Sequence, residues 1–118
     1  MQLTDYADRY KSIQFSRTGG VLEVRIHTRG GEALWGVTED SLHSELGRAC
    51  ADIARDRDNR VILLTGTGDS FIAGMDPEAK YPEPSLAEMW DRIYREGLDL
   101  LDNLLAIPVP VILSLIHI

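Results

Sequence analysis

The sequence lacks the features that mark several common classes of protein. Its single cysteine, Cys50, cannot form an internal disulfide, and residues 1–6 carry no charged segment followed by an apolar run. Basic residues are few, 12 against 19 acidic ones, and the formal net charge of −7 repels phosphate backbones and anionic membranes. The most apolar stretch, residues 104–118, contains two prolines and is shorter than the roughly 18 residues of a spanning helix. We therefore expect a cytoplasmic protein with no nucleic-acid partner and no membrane segment.

What the sequence holds is an ordinary globular composition. The 118 residues are 44% hydrophobic and 26% charged, which suits one small domain. Three histidines, His27, His43 and His117, share no metal-ligand spacing with one another or with Cys50. We predict that the chain binds no metal, that His27 lies on a strand surface and that His43 lies on a helix surface.

The first half of the chain predicts a hairpin followed by a helix. Alternation of apolar and polar residues indicates strands at 13–15 and 21–27. The pair Gly19-Gly20 between them suits a tight turn that needs positive φ. Apolar residues then recur at helical spacing over residues 42–53, which predicts an amphipathic helix.

The second half predicts further strands and helices in alternation. Residues 61–64 are apolar on both faces, as in a strand inside a sheet that helices cover. A capping box that starts at Ser85 begins a long helix, and Pro108 ends it. Residues 109–113 then form another buried strand. The order ββαβαβ indicates an α/β layered domain with parallel crossovers.

The loop after the first buried strand, residues 66–77, is the candidate site, because ligands in open α/β sheets bind beyond the carboxyl ends of strands. Asp76 followed by Pro77 is typical of a helix start, which would place the N–H groups of Gly74 and Met75 beside a helix N-terminus. These amides would form an anion or oxyanion site that stabilises charge on a carbonyl oxygen. The alternative is an ordinary glycine-rich connection that holds no ligand.

Other loop motifs do not fit these residues. Phe71 stands where a dinucleotide-binding loop needs its third glycine, and no Gly-Lys-Ser/Thr follows. Ser70 lacks the flanking glycines of a nucleophile elbow. The residues therefore disfavour a dinucleotide site, a nucleoside triphosphate site and a serine hydrolase.

The two tryptophans have different predicted environments. Trp35 lies in a glycine-flanked loop, where an aromatic ring either fills the core or forms the wall of a pocket. Trp90 falls with Leu101 and Leu105 on the apolar side of the long helix. We expect that side of the helix to be packed.

Three segments, residues 46–53, 59–66 and 70–76, resemble the N-terminal part of the crotonase superfamily, the enoyl-CoA hydratase/isomerase family. The most specific element is the pattern Phe-x-Ala-Gly-x-Asp after a strand that ends in Thr-Gly. The similarity extends from about Tyr10 to Ile112. The resemblance implies a fold of crotonase-like ββα units and an enzyme that stabilises the enolate of an acyl-CoA thioester.

The resemblance also implies roles for five residues. The amide of Met75 would give one of two oxyanion-hole donors, and Ala73, Gly74, Asp76 and Trp35 would contact the substrate or its coenzyme A moiety. Coenzyme A would enter as a thioester substrate, with no permanently bound cofactor and no metal. Such enzymes are lyases and isomerases of fatty acid metabolism, and the full-length form would be a homo-oligomer, a trimer or hexamer.

Two segments differ from the coenzyme A-dependent members of the family. Residues 30–35 and 101–112 are similar to the branch that contains 6-oxocamphor hydrolase, which cleaves carbon–carbon bonds of cyclic β-diketones. In that branch a tryptophan at the position of Trp35 lines the active site. Three functional alternatives therefore stay open: an acyl-CoA hydratase or isomerase, a β-diketone hydrolase, and a non-catalytic remnant that binds coenzyme A.

The C-terminal residues predict an incomplete domain. We interpret residues 1–112 as the N-terminal part of a crotonase-fold domain and residues 113–118 as a non-native tail, because a sequencing-library adapter can encode that tail. In the family, the second oxyanion donor and the acid/base residues follow this point. We therefore expect this chain by itself to be inactive.

Overall fold

The computed structural model describes residues 1–38, 40–79 and 87–115, and these residues form the predicted alternation of strands and helices. The predicted capping box at Ser85 lies outside the described residues. In chain order the elements are α1 (Leu3–Tyr6), β1 (Ile13–Thr18), β2 (Val21–Ile26), β3 (Leu34–Trp35), α2 (Leu42–Arg55), β4 (Val61–Thr65), β5 (Gly74–Met75), α3 (Ala87–Leu105) and β6 (Val111–Ser114).

Four strands form the main sheet, in the order β1-β2-β4-β6, and β3 pairs with β5 in a small second sheet. β1 and β2 are antiparallel, whereas β4 runs parallel to both of its neighbours. A parallel pair needs a crossover, and α2 and α3 supply it on either side of β4 in sequence. The predicted α/β fold class and its parallel crossovers are confirmed.

The hairpin forms as predicted because its turn residues adopt a conformation that other residues avoid. Gly19 and Gly20 have φ values of 59° and 86°, in the left-handed region that favours glycine. Thr18 stands opposite Val21, so the two glycines make the whole turn. The tight turn fixes the register of β1 against β2.

The core lies between the sheet and α2. Alternate residues of β2 point toward α2, whereas the polar residues between them are half-buried. α2 packs against α3 on its other side, so its surface is buried over most of its length. The largest fully buried side chains are Tyr6, Ile13, Leu22, Val24, Ile26, Leu42 and Ile62.

The apolar side of α3 is wider than the face that packs against α2 and the core. The prediction that three of its residues are packed is wrong. Trp90, Leu101 and Leu105 are 54%, 57% and 83% exposed. The face toward α2 and the core instead includes Leu100 and Leu104. Apolar residues occupy about half of the circumference of α3, and a single neighbouring layer cannot bury all of them. Periodicity therefore identified the helix without identifying its packed face.

Gly97, in the middle of α3, offers a stabilising substitution. A methyl group at this position would meet the nearest atom, Nε2 of His43, at 3.6 Å, which is ordinary van der Waals contact. Since glycine in a helix interior is less stable than alanine, Gly97→Ala should raise the free energy of unfolding by about 0.5–1 kcal/mol. Urea unfolding followed by circular dichroism measures this change.

Gly47 of α2 is the matched comparison for that substitution. A methyl group there would lie 3.4 Å from the backbone N and Cα of Leu100, where the two helices approach closely. Gly47→Ala should therefore gain less than Gly97→Ala or lose stability. A larger gain at Gly47 than at Gly97 would contradict this account of the helix contact.

β6 extends past the boundary predicted after Ile112. Leu113 and Ser114 stand opposite Leu64 and Thr65 of β4 in the parallel register. The origin of residues 113–118 stays a prediction, and residues 116–118 lie outside the described residues. None of the helices in the described ranges combines the length and hydropathy that crossing a membrane requires.

Candidate active site

Two loops meet where parallel strands end, at the edge of the sheet that the sequence predicts for a ligand. β2 and β4 run parallel, so the segments that follow them leave the sheet on the same side. These segments pair as β3 and β5, with Leu34 opposite Gly74 and Trp35 opposite Met75. Two residues that are distant in sequence, Trp35 and Met75, are thereby adjacent.

Short contacts hold the loop after β4 in place. A Cβ atom at Gly66 would lie 2.7 Å from the Ser70 carbonyl oxygen, so only glycine lets the chain fold back this closely. Thr67 donates its hydroxyl to the carbonyl of Ile26 at the end of β2, at 2.9 Å. These contacts fix the direction in which residues 71–76 leave the sheet.

The residues on either side of β5 donate their backbone amides to the segment that contains β3. Ala73 N–H donates to the Ala33 carbonyl and Asp76 N–H donates to the Trp35 carbonyl, each at 2.8 Å. The two donors are three residues apart, so the N–H groups of residues 73–76 do not alternate regularly between the two sides of the segment. The Met75 residue is 57% exposed. The backbone of an exposed residue that neighbouring hydrogen bonds hold in place is accessible to a carbonyl oxygen of a ligand.

The helix predicted to start at Asp76-Pro77 is absent from residues 77–79, which form a turn. Asp76 Oδ1 accepts the N–H of Glu78 at 3.0 Å, as in an Asx turn. The same carboxylate accepts two hydrogen bonds from Arg29, at 2.9 and 3.1 Å. The helix-dipole argument for the amides of this loop is therefore wrong in the described residues, and their directions come from the pairing of β5 with β3.

Arg29 fastens the two loops to each other. Its Nε also lies 2.8 Å from a carboxylate oxygen of Glu78, and its φ of 50° is in the left-handed region, which is unusual for arginine. The hydrogen bonds from Arg29 hold the pKa of the Asp76 carboxyl below its usual range. Asp76 is thus an ionised anchor between the loops at neutral pH.

A cleft of about 550 Å³ lies beside the anchor. Its lining includes the cations Lys11 and Arg29, and both are ion-paired: Lys11 Nζ lies 2.7 Å from Asp40, and Arg29 contacts Asp76 and Glu78. The five side chains carry two positive and three negative formal charges. The cleft is therefore a poor attractor for anions.

Trp35 is half-buried and packs against a histidine that the sequence analysis misplaced. The rings of Trp35 and His43 meet edge to face, with centroids 5.4 Å apart and planes at 88°. His43 is only 7% exposed and His27 only 9%, so the predicted surface positions are wrong for both histidines. His43 precedes Leu46 and Cys50 at spacings of three and seven residues, so it lies on the same face of α2 as these buried residues. This spacing could have predicted that His43 is buried.

The single cysteine is buried, and side chains of the metal-ligating types are not grouped in threes within the described ranges. Burial raises the pKa of the Cys50 thiol to about 11, so this thiol is protonated at neutral pH and a poor nucleophile. Among residues 1–38, 40–79 and 87–115, no three His, Cys, Asp or Glu side chains are grouped as metal ligands.

Solved structures with this fold identify the family. No protein-family profile matches the chain, and no curated protein sequence matches it. A β-diketone hydrolase from the cyanobacterium Anabaena, solved with (S)-3-oxocyclohexyl acetic acid, is 40% identical, with a TM-score of 0.80 over 96% of this chain. The chain belongs to the crotonase superfamily.

Other crotonase structures match at lower identity. An enoyl-CoA hydratase/carnitine racemase from Magnetospirillum magneticum is 25% identical, with a TM-score of 0.74 over 95% of this chain. An enoyl-CoA hydratase from Mycobacterium smegmatis is also 25% identical, with a TM-score of 0.69 over 88%. The chain spans 44%, 41% and 39% of these three proteins, taken in the order given.

All five site residues predicted for this crotonase chain lie in the β3–β5 pair or beside it. Gly74 and Met75 form β5, with Ala73 and Asp76 at its two ends, and Trp35 stands opposite Met75. The anchor role of Arg29 and the contact of His43 with Trp35 were not predicted. Both depend on residues that are far apart in sequence.

Proposed function

We propose that the Met75 amide is one donor of an oxyanion hole for the carbonyl oxygen of a substrate that passes through an enolate. The observation that carries this proposal is the 57% exposure of Met75 between the amides of Ala73 and Asp76, which hydrogen bonds to the Ala33 and Trp35 carbonyls hold in place. A rigid N–H aimed at the position where negative charge develops lowers the barrier without reorganising. The pairing of β5 with β3 and the Arg29 anchor supply that rigidity.

The first candidate substrate is an acyl-CoA thioester, and the activity that of an enoyl-CoA hydratase or isomerase. Matches to two enoyl-CoA hydratase structures at 25% identity support this candidate. Ala73 and Gly74 are exposed and small, so a long ligand can approach the backbone closely. In this proposal coenzyme A is part of the substrate, and the chain holds no permanent cofactor.

The second candidate substrate is a cyclic β-diketone, and two observations support it as well. The 40% identity to a β-diketone hydrolase is higher than the identity to either hydratase. In addition, both cations of the adjacent cleft are already ion-paired, which disfavours recognition of the coenzyme A phosphates there. Trp35 would then be an apolar wall for a compact ring.

One backbone donor is insufficient for catalysis. A second donor and an acid/base pair are needed to move the proton, and each contributes a large factor to the rate. We therefore expect the 118-residue chain to bind a carbonyl ligand and not to turn it over. Hydration of crotonyl-CoA above background by the purified chain would contradict this expectation, as would cleavage of a cyclic β-diketone.

Titration followed by amide NMR tests the oxyanion donor. The chain labelled with ¹⁵N should show a saturable downfield shift of the Met75 amide with crotonyl-CoA, with 1,3-cyclohexanedione, or with both. A methyl group on Gly74 meets no atom within 4 Å, so Gly74→Ala should keep the fold and weaken the binding, because the methyl blocks the approach to the backbone.

Gly31→Ala is the matched control for that titration. A methyl group on Gly31 would meet only the Thr28 carbonyl, at 3.7 Å, so binding should stay at the wild-type level. Preference for the thioester or for the diketone distinguishes the two candidates. A Met75 amide that moves with neither ligand would overturn the proposal.

A further inference from the structure

Four side chains connect the two long helices to the strand that carries Trp35. We call them the His43 cluster: Trp35, His43, Arg92 and Glu96. Glu96 Oε1 accepts a hydrogen bond from Arg92 Nη1 at 3.0 Å, and Glu96 Oε2 lies 3.2 Å from His43 Nδ1. Arg92 Nη2 donates to the carbonyl of Val37, two residues after Trp35, at 3.0 Å. α3 thus reaches the Trp35 segment by two routes, one through His43 and one through Val37.

The surroundings of the imidazole fix its orientation. The side chain of His43 is 9% exposed and that of Glu96 is 19% exposed, so neither is free to reorient in solvent. An ionised carboxylate only accepts hydrogen bonds, which assigns the proton to Nδ1 of His43. Gly97 borders the other side of the ring, since a Cβ atom there would lie 3.6 Å from Nε2. With these contacts made, the imidazole and the indole of Trp35 meet edge to face.

We propose that His43 and Glu96 are positioning residues that hold the Trp35 indole, and with it the wall of the carbonyl site. The role of that wall rests on the proposed function, whereas the positioning can be measured without a ligand. If the cluster served only to join α2 to α3, its loss would lower stability and leave the environment of Trp35 unchanged. The two roles therefore differ in a spectroscopic signal.

Tryptophan spectroscopy in a Trp90→Phe background tests the positioning. The chain has two tryptophans, and Trp90 is 54% exposed, so the replacement leaves Trp35 as the single reporter at little structural cost. His43→Asn keeps a donor near the Nδ1 position and removes the ring, whereas Glu96→Gln keeps the shape and removes the charge. Arg95→Gln is the control, because within the described residues it breaks an exposed ion pair, that of Arg95 with Asp91 on the same helix.

We expect two changes in both cluster variants when their far-ultraviolet spectra match the wild type. Acrylamide quenching of Trp35 should increase, and its near-ultraviolet circular dichroism should weaken, while Arg95→Gln changes neither signal. If His43→Asn and Glu96→Gln both resemble Arg95→Gln in these two signals, the proposal is wrong. The milder Glu96→Gln keeps the test decisive if His43→Asn does not fold.

Ligand binding separates this proposal from the proposed function. With 1,3-cyclohexanedione or crotonyl-CoA as probe, the cluster variants should bind about tenfold more weakly, a change of about 1.4 kcal/mol. If the wild-type chain binds neither probe, the proposed function is wrong. The spectroscopic measurements alone then test whether the cluster positions Trp35. Wild-type affinity in both cluster variants would overturn the inference that the cluster sets the wall of the site.

Discussion

Replacing Asp56 by alanine is expected to lower the free energy of unfolding by about 3 kcal/mol. The Asp56 side chain is fully buried, and its Oδ2 accepts hydrogen bonds from Tyr6 Oη and Arg17 Nη1, each at 2.6 Å. Alanine would leave the Tyr6 hydroxyl without this acceptor and the Arg17 guanidinium, which is 19% exposed, without its nearest carboxylate. Removing one partner of a buried ion pair is costly because the other charge stays out of water.

Asp58 provides the matched control at the same end of α2. Its side chain is 73% exposed and lies 3.9 Å from Arg17, so Asp58→Ala should change the free energy of unfolding by less than about 0.5 kcal/mol. Urea unfolding should give a lower midpoint for Asp56→Ala with an unchanged slope. Equal midpoints for the two variants would show that the buried contacts contribute no more than an exposed charge.

The acid dependence of stability should change with the same substitution. Burial alone would raise the pKa of Asp56, but the hydrogen bonds from Tyr6 and Arg17 outweigh it and hold the pKa below its usual range. The folded pKa is therefore lower than the unfolded value of about 3.9, and the stabilisation is present above that value and lost as the pH falls through the folded pKa. Asp56→Ala should flatten this acid limb in unfolding curves measured below about pH 5.

At alkaline pH, stability is expected to fall as the pH rises, which is opposite to the acid dependence. Burial, and then the hydrogen bond to Asp56, raise the pKa of Tyr6 above its usual range. A raised folded pKa means that the neutral phenol stabilises the fold below the unfolded pKa of about 10, and that this contribution is lost as the pH rises further. Tyr6→Phe should remove it, and a steep alkaline limb that persists in Tyr6→Phe would assign the loss to other groups.

Replacing Gly66 by alanine is the second substitution with a large expected effect. The added Cβ would lie 2.7 Å from the Ser70 carbonyl oxygen and 2.8 Å from the Cα and the carbonyl oxygen of Phe71. All three are backbone atoms, so no change of rotamer relieves the contact and the loop has to move. We expect a loss of about 1–3 kcal/mol, typical of overpacking, together with displacement of β5 from β3.

Two measurements separate the stability effect from the effect on the site. Urea unfolding gives the loss of stability, with Gly74→Ala as a control that meets no atom within 4 Å. Hydrogen exchange of the Asp76 amide, which donates to Trp35, reports the β3–β5 pairing directly. Gly66→Ala that matches Gly74→Ala in both measurements would show that the Thr-Gly turn tolerates a side chain.

Most of the fold could be predicted from the sequence because its elements have local causes. Alternation identified β2, helical spacing identified α2, and the pair Gly19-Gly20 identified the hairpin turn through a φ requirement that acts within two residues. The packed face of α3 was not predictable in this way. Apolar residues cover more of its surface than one neighbouring element can bury. Periodicity does not show which part of that surface packs against α2.

Part of the candidate site was likewise predictable from local sequence, and part depends on contacts between distant residues. Its location beyond the carboxyl end of β4, and the small residues Ala73 and Gly74, were predicted from local pattern and strand direction. The helix predicted to start at Asp76 is absent from residues 77–79, where Asp76 accepts the Glu78 amide in an Asx turn and two hydrogen bonds from Arg29.

By itself, the sequence determined the α/β alternation, the turn glycines and the segment that carries the Met75 amide, because each of these depends on backbone preferences over a few residues. Only the tertiary structure decided that Trp35 stands opposite Met75, that Arg29 anchors the two loops, and that His43 is buried against Trp35. These contacts join residues brought together by the parallel pairing of β2 and β4. Long-range pairing follows from the burial of the whole core, which local spacing does not encode.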